Sequence, residues 1–170
     1  MLTSFHWSFF FLLGVVVLFF SACHSHSVKE SSESKVNIPE FDILLEDSVT
    51  YFNTQNIPKG KPVVIFYFGP YCDHSRDQMK SIIKNMDNLN GIRFYLVTQE
   101  PFNDMVAFYK NFRLNQYENI VVGFDYKRYF SNKLKVSGYP YLQVYGKDGR
   151  LINIFRSEVY GREILKIASN

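Results

Sequence analysis

Cys72, His74 and Ser75 stand together in the run Cys72-Asp73-His74-Ser75, which sets a nucleophile, a proton carrier and a hydroxyl within four residues. A thiol reacts as its thiolate, so the surroundings of Cys72 decide what it can do. Just upstream lies VVIFYF, residues 63–68, a continuous apolar run of the kind found in strands buried on both faces. Just downstream, Met79, Ile82, Ile83, Met86 and Leu89 recur at helical spacing and form one apolar stripe. A strand, a Gly69-Pro70-Tyr71 turn and then a helix place Cys72 at a helix N-terminus, where unpaired backbone N–H groups and the helix dipole favour a thiolate. The alternative for Cys72 is an inert, small apolar residue. His74 has two readings as well: an imidazole that stabilises the thiolate, or an exposed residue of the first helical turn.

The elements around this segment alternate between strand-like and helix-like patterns, as in a sheet with crossover helices. Residues 41–45 and 49–52 read as a leading hairpin, and residues 63–68 as a central strand. One helix carries the Met79 stripe to an end near Asn90-Gly91, and residues 92–97 follow as a strand. Pro101 opens a second helix whose buried stripe is Phe102, Met105, Val106, Tyr109 and Phe112. Residues 119–124 form a strand and residues 126–134 a short helix. Residues 141–145 and 151–155 form a hairpin around Lys147-Asp148-Gly149, and residues 161–169 a closing helix. The fold class is therefore α/β, a central mixed β-sheet flanked by helices, with neither internal repeats nor a second domain.

The other cysteine, Cys23, belongs to a different setting. Residues 9–20 read FFFLLGVVVLFF, a 12-residue apolar run that fits a secretory signal better than a membrane span. Ser21-Ala22-Cys23 follows at once and is similar to the lipobox of bacterial lipoproteins, which implies lipidation at Cys23 and residues 1–22 as a lipoprotein signal peptide. Phe20 stands where such motifs carry Leu, and the segment before the apolar run has no Lys or Arg. The alternative is an uncleaved N-terminal anchor over residues 5–22, which at ~1.5 Å per residue just reaches across a bilayer. Residues 23–37 are rich in Ser and charge and read as a flexible tether, with His24 and His26 as linker residues, leaving residues 38–170 as the folded domain.

Composition removes several function classes. The hydrophobic content of 46% and charged content of 21% suit a globular domain. The net charge of +3 is not gathered into a stripe on one element, so no nucleic-acid partner is expected. Two cysteines exclude a multi-bridge framework. Neither metal ligands nor a phosphate loop is found, so no metal and no other cofactor are expected. The 17 Phe and 12 Tyr are spread over every element and read as core packing.

With these residues in hand, the chain resembles the thioredoxin superfamily, most closely the TlpA-like envelope thioredoxins. Lys59-Gly60-Lys61-Pro62-Val63-Val64 and the approach to Cys72 are similar to that family's strand and active-site entry, with Tyr71 in place of Trp. Val136-Ser137-Gly138-Tyr139-Pro140-Tyr141 is similar to its cis-proline loop, and Lys147 to Arg150 to its final hairpin. The resemblance covers roughly residues 41–168 in order and implies a thioredoxin-like fold. It also implies substrate contacts at Tyr139, Pro140 and Tyr71 beside a nucleophilic Cys72. His74 matches the histidine of the periplasmic disulfide oxidases, where it stabilises the thiolate.

Two positions depart from the family. Ser75 replaces the resolving cysteine, giving CxxS in place of CxxC, and Phe66, six residues before Cys72, replaces a buried Asp. Three functions follow. The first is a monothiol thiol-disulfide oxidoreductase, anchored in the bacterial envelope through its lipid and facing the periplasm, acting on a protein disulfide or a low-molecular-weight thiol. The second is a redox-inert adaptor that binds peptide or a partner protein in the groove beside Pro140. The third, a peroxidase of the peroxiredoxin kind, lacks that family's residues ahead of the cysteine.

Overall fold

An apolar strand with two buried faces needs a layer of structure on each side. In the computed structural model, which describes residues 36–169, both layers are present. The strands are β1 (Asp42–Leu45), β2 (Tyr51–Asn53), β3 (Val63–Tyr67), β4 (Arg93–Thr98), β5 (Ile120–Phe124), β6 (Tyr141–Tyr145) and β7 (Leu151–Phe155). They form one mixed sheet in the order β2-β1-β5-β4-β3-β6-β7, with β3 between the parallel β4 and the antiparallel β6. Val64, Phe66 and Phe68 point to one face, beneath α1 (Asp73–Lys84), α2 (Met86–Leu89), α3 (Phe102–Asn111) and α5 (Gly161–Ala168). Val63, Ile65 and Tyr67 point to the other, where Phe41, Ile43, Ile57 and Phe130 cover them. This second core is largely aromatic: Phe130, on α4 (Tyr129–Asn132), stacks on Tyr67 with centroids 4.6 Å apart.

The structure departs from the expected elements at three helices. The Met79 stripe does not lie on one helix, because Asn85 breaks it: its backbone leaves the helical region (φ −109°, ψ 12°), and its side-chain amide donates to the Ser81 carbonyl at 2.8 Å. Met86 and Leu89 are buried all the same, on α2. The buried face of α3 centres on Met105 and Phe108, and Phe108, absent from the expected stripe, packs on Phe68 at 4.4 Å. The short helix shrinks to α4, four residues entered through Arg128 in the left-handed region (φ 53°).

Pairing begins ahead of the expected domain start at residue 38. Asn37 bridges Arg150, and Leu151 N–H donates to the Val36 carbonyl at 2.8 Å. Residues 1–35, with the expected signal peptide, Cys23 and most of the tether, lie outside the described residues. Among the described residues, no helix is long and apolar enough to cross a membrane.

α4 depends on a buried acid. Asp125 is fully buried just beyond β5 and accepts the Phe130 N–H at 3.0 Å through Oδ2, while Oδ1 has no protein partner. Desolvation raises its carboxyl above the ordinary 3.8, against two backbone N–H groups that lower it. The folded chain therefore keeps a proton that the unfolded chain releases above that value, so this residue costs stability as pH rises through the ordinary carboxylate range. Asp125→Asn keeps an acceptor for Phe130 and removes the titration. In urea melts, the stability of the variant relative to wild type should increase from about pH 3 to about pH 7. A pH-independent difference would show that Asp125 titrates normally in the fold.

Candidate functional site

β3 ends at Tyr67, and the chain turns at residues 69–72, where Cys72 N–H donates to the Gly69 carbonyl at 3.0 Å. Cys72 is the N-cap residue of α1, extended in backbone (φ −74°, ψ 119°), and its side chain makes no capping bond. Its sulfur therefore sits at the positive end of a 12-residue helix. Antiparallel pairing of β3 with β6 sets Tyr67 opposite Tyr141 and so delivers the preceding loop to this turn. The Tyr139–Pro140 peptide is cis, and the Cys72 thiol donates to the Tyr139 carbonyl with Sγ 3.8 Å from the oxygen. Cys72, Tyr139 and Pro140 thus meet across 67 residues of chain.

Ser75 is fully buried, and its Oγ accepts the Gly69 N–H at 3.2 Å. The hydroxyl at the CxxS position thus holds the turn that carries the cysteine. Phe66 is also fully buried, against Phe68 and the helices above, so an apolar ring fills the place where the resemblance implies an acid.

His74 is placed differently. Its ring is exposed, and Nδ1 pairs with Glu158 Oε1 at 2.5 Å, tying the start of α1 to the segment before α5. This imidazole has a surface partner 84 residues away. Tyr71 is 73% exposed beside Cys72, and its hydroxyl donates to Asp104 on α3 at 2.9 Å. That bond holds the aromatic face outward over the turn.

Glu100 enters the site although the sequence reading did not include it. The Tyr139 hydroxyl donates to Glu100 Oε1 at 2.9 Å and lies 3.5 Å from the Tyr67 hydroxyl, with the two rings 4.8 Å apart. Burial pushes the Tyr67 phenol up to about 12, and the Tyr139 phenol is raised further, first by burial and then by its bonds to Tyr67 and Glu100. Both stay protonated at any physiological pH. The only advance signal for Glu100 was its place at the end of β4, level with the end of β3.

Two cavities flank the loop before Pro140. One of about 280 Å³ is lined by Val136, Ser137, Gly138, Pro140 and Arg156, and the other, of about 430 Å³, by Glu100, Ser131, Lys135 and Tyr67. Among the described residues, no three His, Cys, Asp or Glu side chains converge as metal ligands.

The chain is similar to the crystal structure of a secreted Mycobacterium tuberculosis disulfide oxidoreductase homologous to E. coli DsbE, with a TM-score of 0.63 and 16% identity over 76% of this chain and 94% of that one. It is also similar to a thiol:disulfide interchange protein of the thioredoxin family from Chlorobium tepidum TLS, at 0.64 and 15% over 80% and 97%. The chain has a thioredoxin-like fold. A third likeness, to the thioredoxin domain of a thiol-disulfide oxidoreductase from Bacteroides vulgatus, has a TM-score of 0.61 and 15% identity over 78% of this chain and 92% of that one. No protein-family model and no curated protein matches the sequence. At these identities the likeness extends to the fold, and the chemistry at Cys72 rests on its own geometry.

That geometry turns on Gly69. A Cβ built there would lie 2.7 Å from Cδ2 of the Tyr139 ring and 3.1 Å from the Cys72 Cβ. The ring cannot easily yield, because Glu100 holds its hydroxyl and Tyr67 packs on its face. Gly69→Ala should cost about 1–3 kcal/mol in stability and push the Tyr139 loop away from the sulfur. Alkylation of Cys72 by iodoacetamide should then run faster than in wild type while the protein remains folded. An unchanged rate would mean that the loop does not shield the thiol.

Proposed function

We propose that this chain is an envelope-anchored, thioredoxin-like monothiol oxidoreductase that forms mixed disulfides through Cys72. The observation that carries this reading is the Cys72 sulfur at the N-cap of α1, uncommitted to capping and part-exposed beside the cis Tyr139–Pro140 loop. The thiol:disulfide proteins that share the fold support thiol-disulfide exchange as the class of reaction.

The reaction begins when Cys72 loses its proton to solvent and the thiolate attacks one sulfur of a substrate disulfide. A new bond forms between Sγ and that sulfur, the old S–S bond breaks, and the second substrate sulfur leaves as a thiolate. Ser75 cannot complete the cycle, since a hydroxyl does not displace a thiolate from sulfur. An external thiol must attack the mixed disulfide instead and return Cys72 to its starting state. Tyr139 and Pro140 would line the approach of the substrate, with Tyr71 as the exposed aromatic surface beside it. His74, paired with Glu158, serves in this reading to fix the start of α1.

The adaptor reading is favoured by one specific observation. The Tyr139 carbonyl already accepts from Cys72, and the groove beside Pro140 is present without any resolving thiol. The two readings separate on Cys72 itself. Wild type incubated with a small disulfide should gain one adduct by intact mass, released by added thiol, whereas Ser75→Cys should form an internal disulfide and turn over the same substrate. No adduct on wild type and no turnover by a folded Ser75→Cys variant would leave the adaptor.

Anchoring through a lipid on Cys23, with residues 1–22 removed and the domain facing the periplasm, is part of the same proposal. It is supported by Ser21-Ala22-Cys23 directly after the apolar run. Cys23→Ser should abolish acyl labelling and leave the precursor at full mass. Loss of labelling is expected; persistence of labelling would overturn lipidation at Cys23, and a wild type that takes no label and keeps its full mass would favour the uncleaved anchor over residues 5–22.

A further inference from the structure

A second site lies at the other end of β3 from Cys72, where β3, β4 and β5 begin. A cavity of about 470 Å³ opens there among Lys61, Asn90, Arg93 and Tyr95. Tyr95 is only 4% exposed, with its ring stacked on Phe52 at 5.5 Å. A buried phenol ordinarily finds a hydrogen-bond partner. The Tyr95 hydroxyl has none among the described residues and keeps some access to solvent, and the residue lines this cavity.

The charges around it are also unspent. Neither Lys61 nor Arg93 forms an ion pair among the described residues. Arg93 Nη1 donates to the Pro58 carbonyl at 3.0 Å, which orients the guanidinium and leaves its other N–H groups free. The guanidinium is near enough to act on Tyr95, whose phenol burial raises and Arg93 lowers. Arg93, Lys61 and Tyr95 thus line one cavity, in which the Pro58 carbonyl takes one guanidinium N–H and no carboxylate pairs with either cation. Glu118, at the rim, is the one opposing charge in the lining. Tetrahedral oxyanions match such a donor set, because guanidinium and ammonium groups make short, charge-assisted bonds to their oxygens.

We propose that this cavity binds a phosphate group, carried either by a small solute or by a lipid headgroup. The site is independent of the chemistry at Cys72. A lipid source is worth testing because the described chain enters at the same end of the sheet. Ile38 N–H donates to the Gly149 carbonyl at 3.2 Å, and Gly60 N–H to the Lys147 carbonyl at 3.1 Å, both at the β6–β7 turn.

The test is isothermal titration of inorganic phosphate into the full chain held in an uncharged sugar detergent. Wild type should bind saturably. Arg93→Gln should weaken binding by roughly 10-fold or more, the scale of a lost charge-assisted hydrogen bond, and Tyr95→Phe should weaken it several-fold. Glu118→Gln should tighten it, and Lys166→Gln, which removes an exposed cation on α5, should leave it unchanged. Melting curves confirm that each variant is folded; Tyr95→Phe keeps the buried ring and so serves if Arg93→Gln does not fold. In nanodiscs of phosphatidylglycerol, weaker apparent phosphate binding than in detergent assigns the site to headgroups, and equal binding assigns it to a solute. Absence of saturable binding, or binding that both Arg93→Gln and Tyr95→Phe leave intact, overturns the proposal.

Discussion

The site depends on one close approach, that of the Tyr139 ring to the backbone of Gly69. A side chain at residue 69 would fill the space the ring occupies, and the ring is fixed from three sides by Gly69, Tyr67 and Glu100. Fixing the ring fixes the backbone that carries it, which sets the Tyr139 carbonyl against the Cys72 sulfur. Sheet register does the coarse placement through the pairing of Tyr67 with Tyr141, and side-chain packing does the fine placement. Cores packed at crystal-like density pass such constraints on with little slack.

Ser75 contributes to the architecture of the site through its buried hydroxyl. A buried hydroxyl without a partner is costly, and the Gly69 N–H supplies one. The same bond closes the turn that presents Cys72, so the residue that cannot resolve a disulfide still orders the cysteine that would form one. Phe66 fits this arrangement. A buried acid at that position would need a proton partner, and an apolar ring packed on Phe68 needs none.

Much of this was legible in the sequence because it was written in local patterns. Continuous apolarity at residues 63–68 announced a strand covered on both faces, and a turn followed by a helical stripe put Cys72 at a helix start. Tyr139-Pro140 was found through its resemblance to a known loop, because no local pattern links it to Cys72. What escaped notice depends on pairing between distant side chains. Glu100 meets Tyr139 39 residues away, and Glu158 takes His74 from 84 residues away. Phe108 was missed because α3 presents a face rotated from the most apolar stripe, toward Phe68. Asn85 was missed because a single amide bonding back to Ser81 outweighs a periodicity that continues through the break.

The polar groups near Cys72 are distributed unevenly between the two faces of the sheet. Under α1 and α3 the core beside the cysteine is apolar, with Phe66, Phe68, Met79 and Phe108 all buried there. On the opposite face, hydroxyls and acids gather: Tyr67, Tyr139, Glu100 and, deeper, Asp125. Tyr139 is the member of that group whose backbone reaches the sulfur, and it does so with a carbonyl, an acceptor that a thiol can satisfy and a thiolate cannot. Deprotonation of Cys72 therefore gives up this bond, and the donors available to the anion are the free N–H groups at the start of α1. The carbonyl released by that step belongs to Tyr139, a residue that lines the loop cavity. Ionisation of the sulfur and its bond to the Tyr139 carbonyl are thus mutually exclusive.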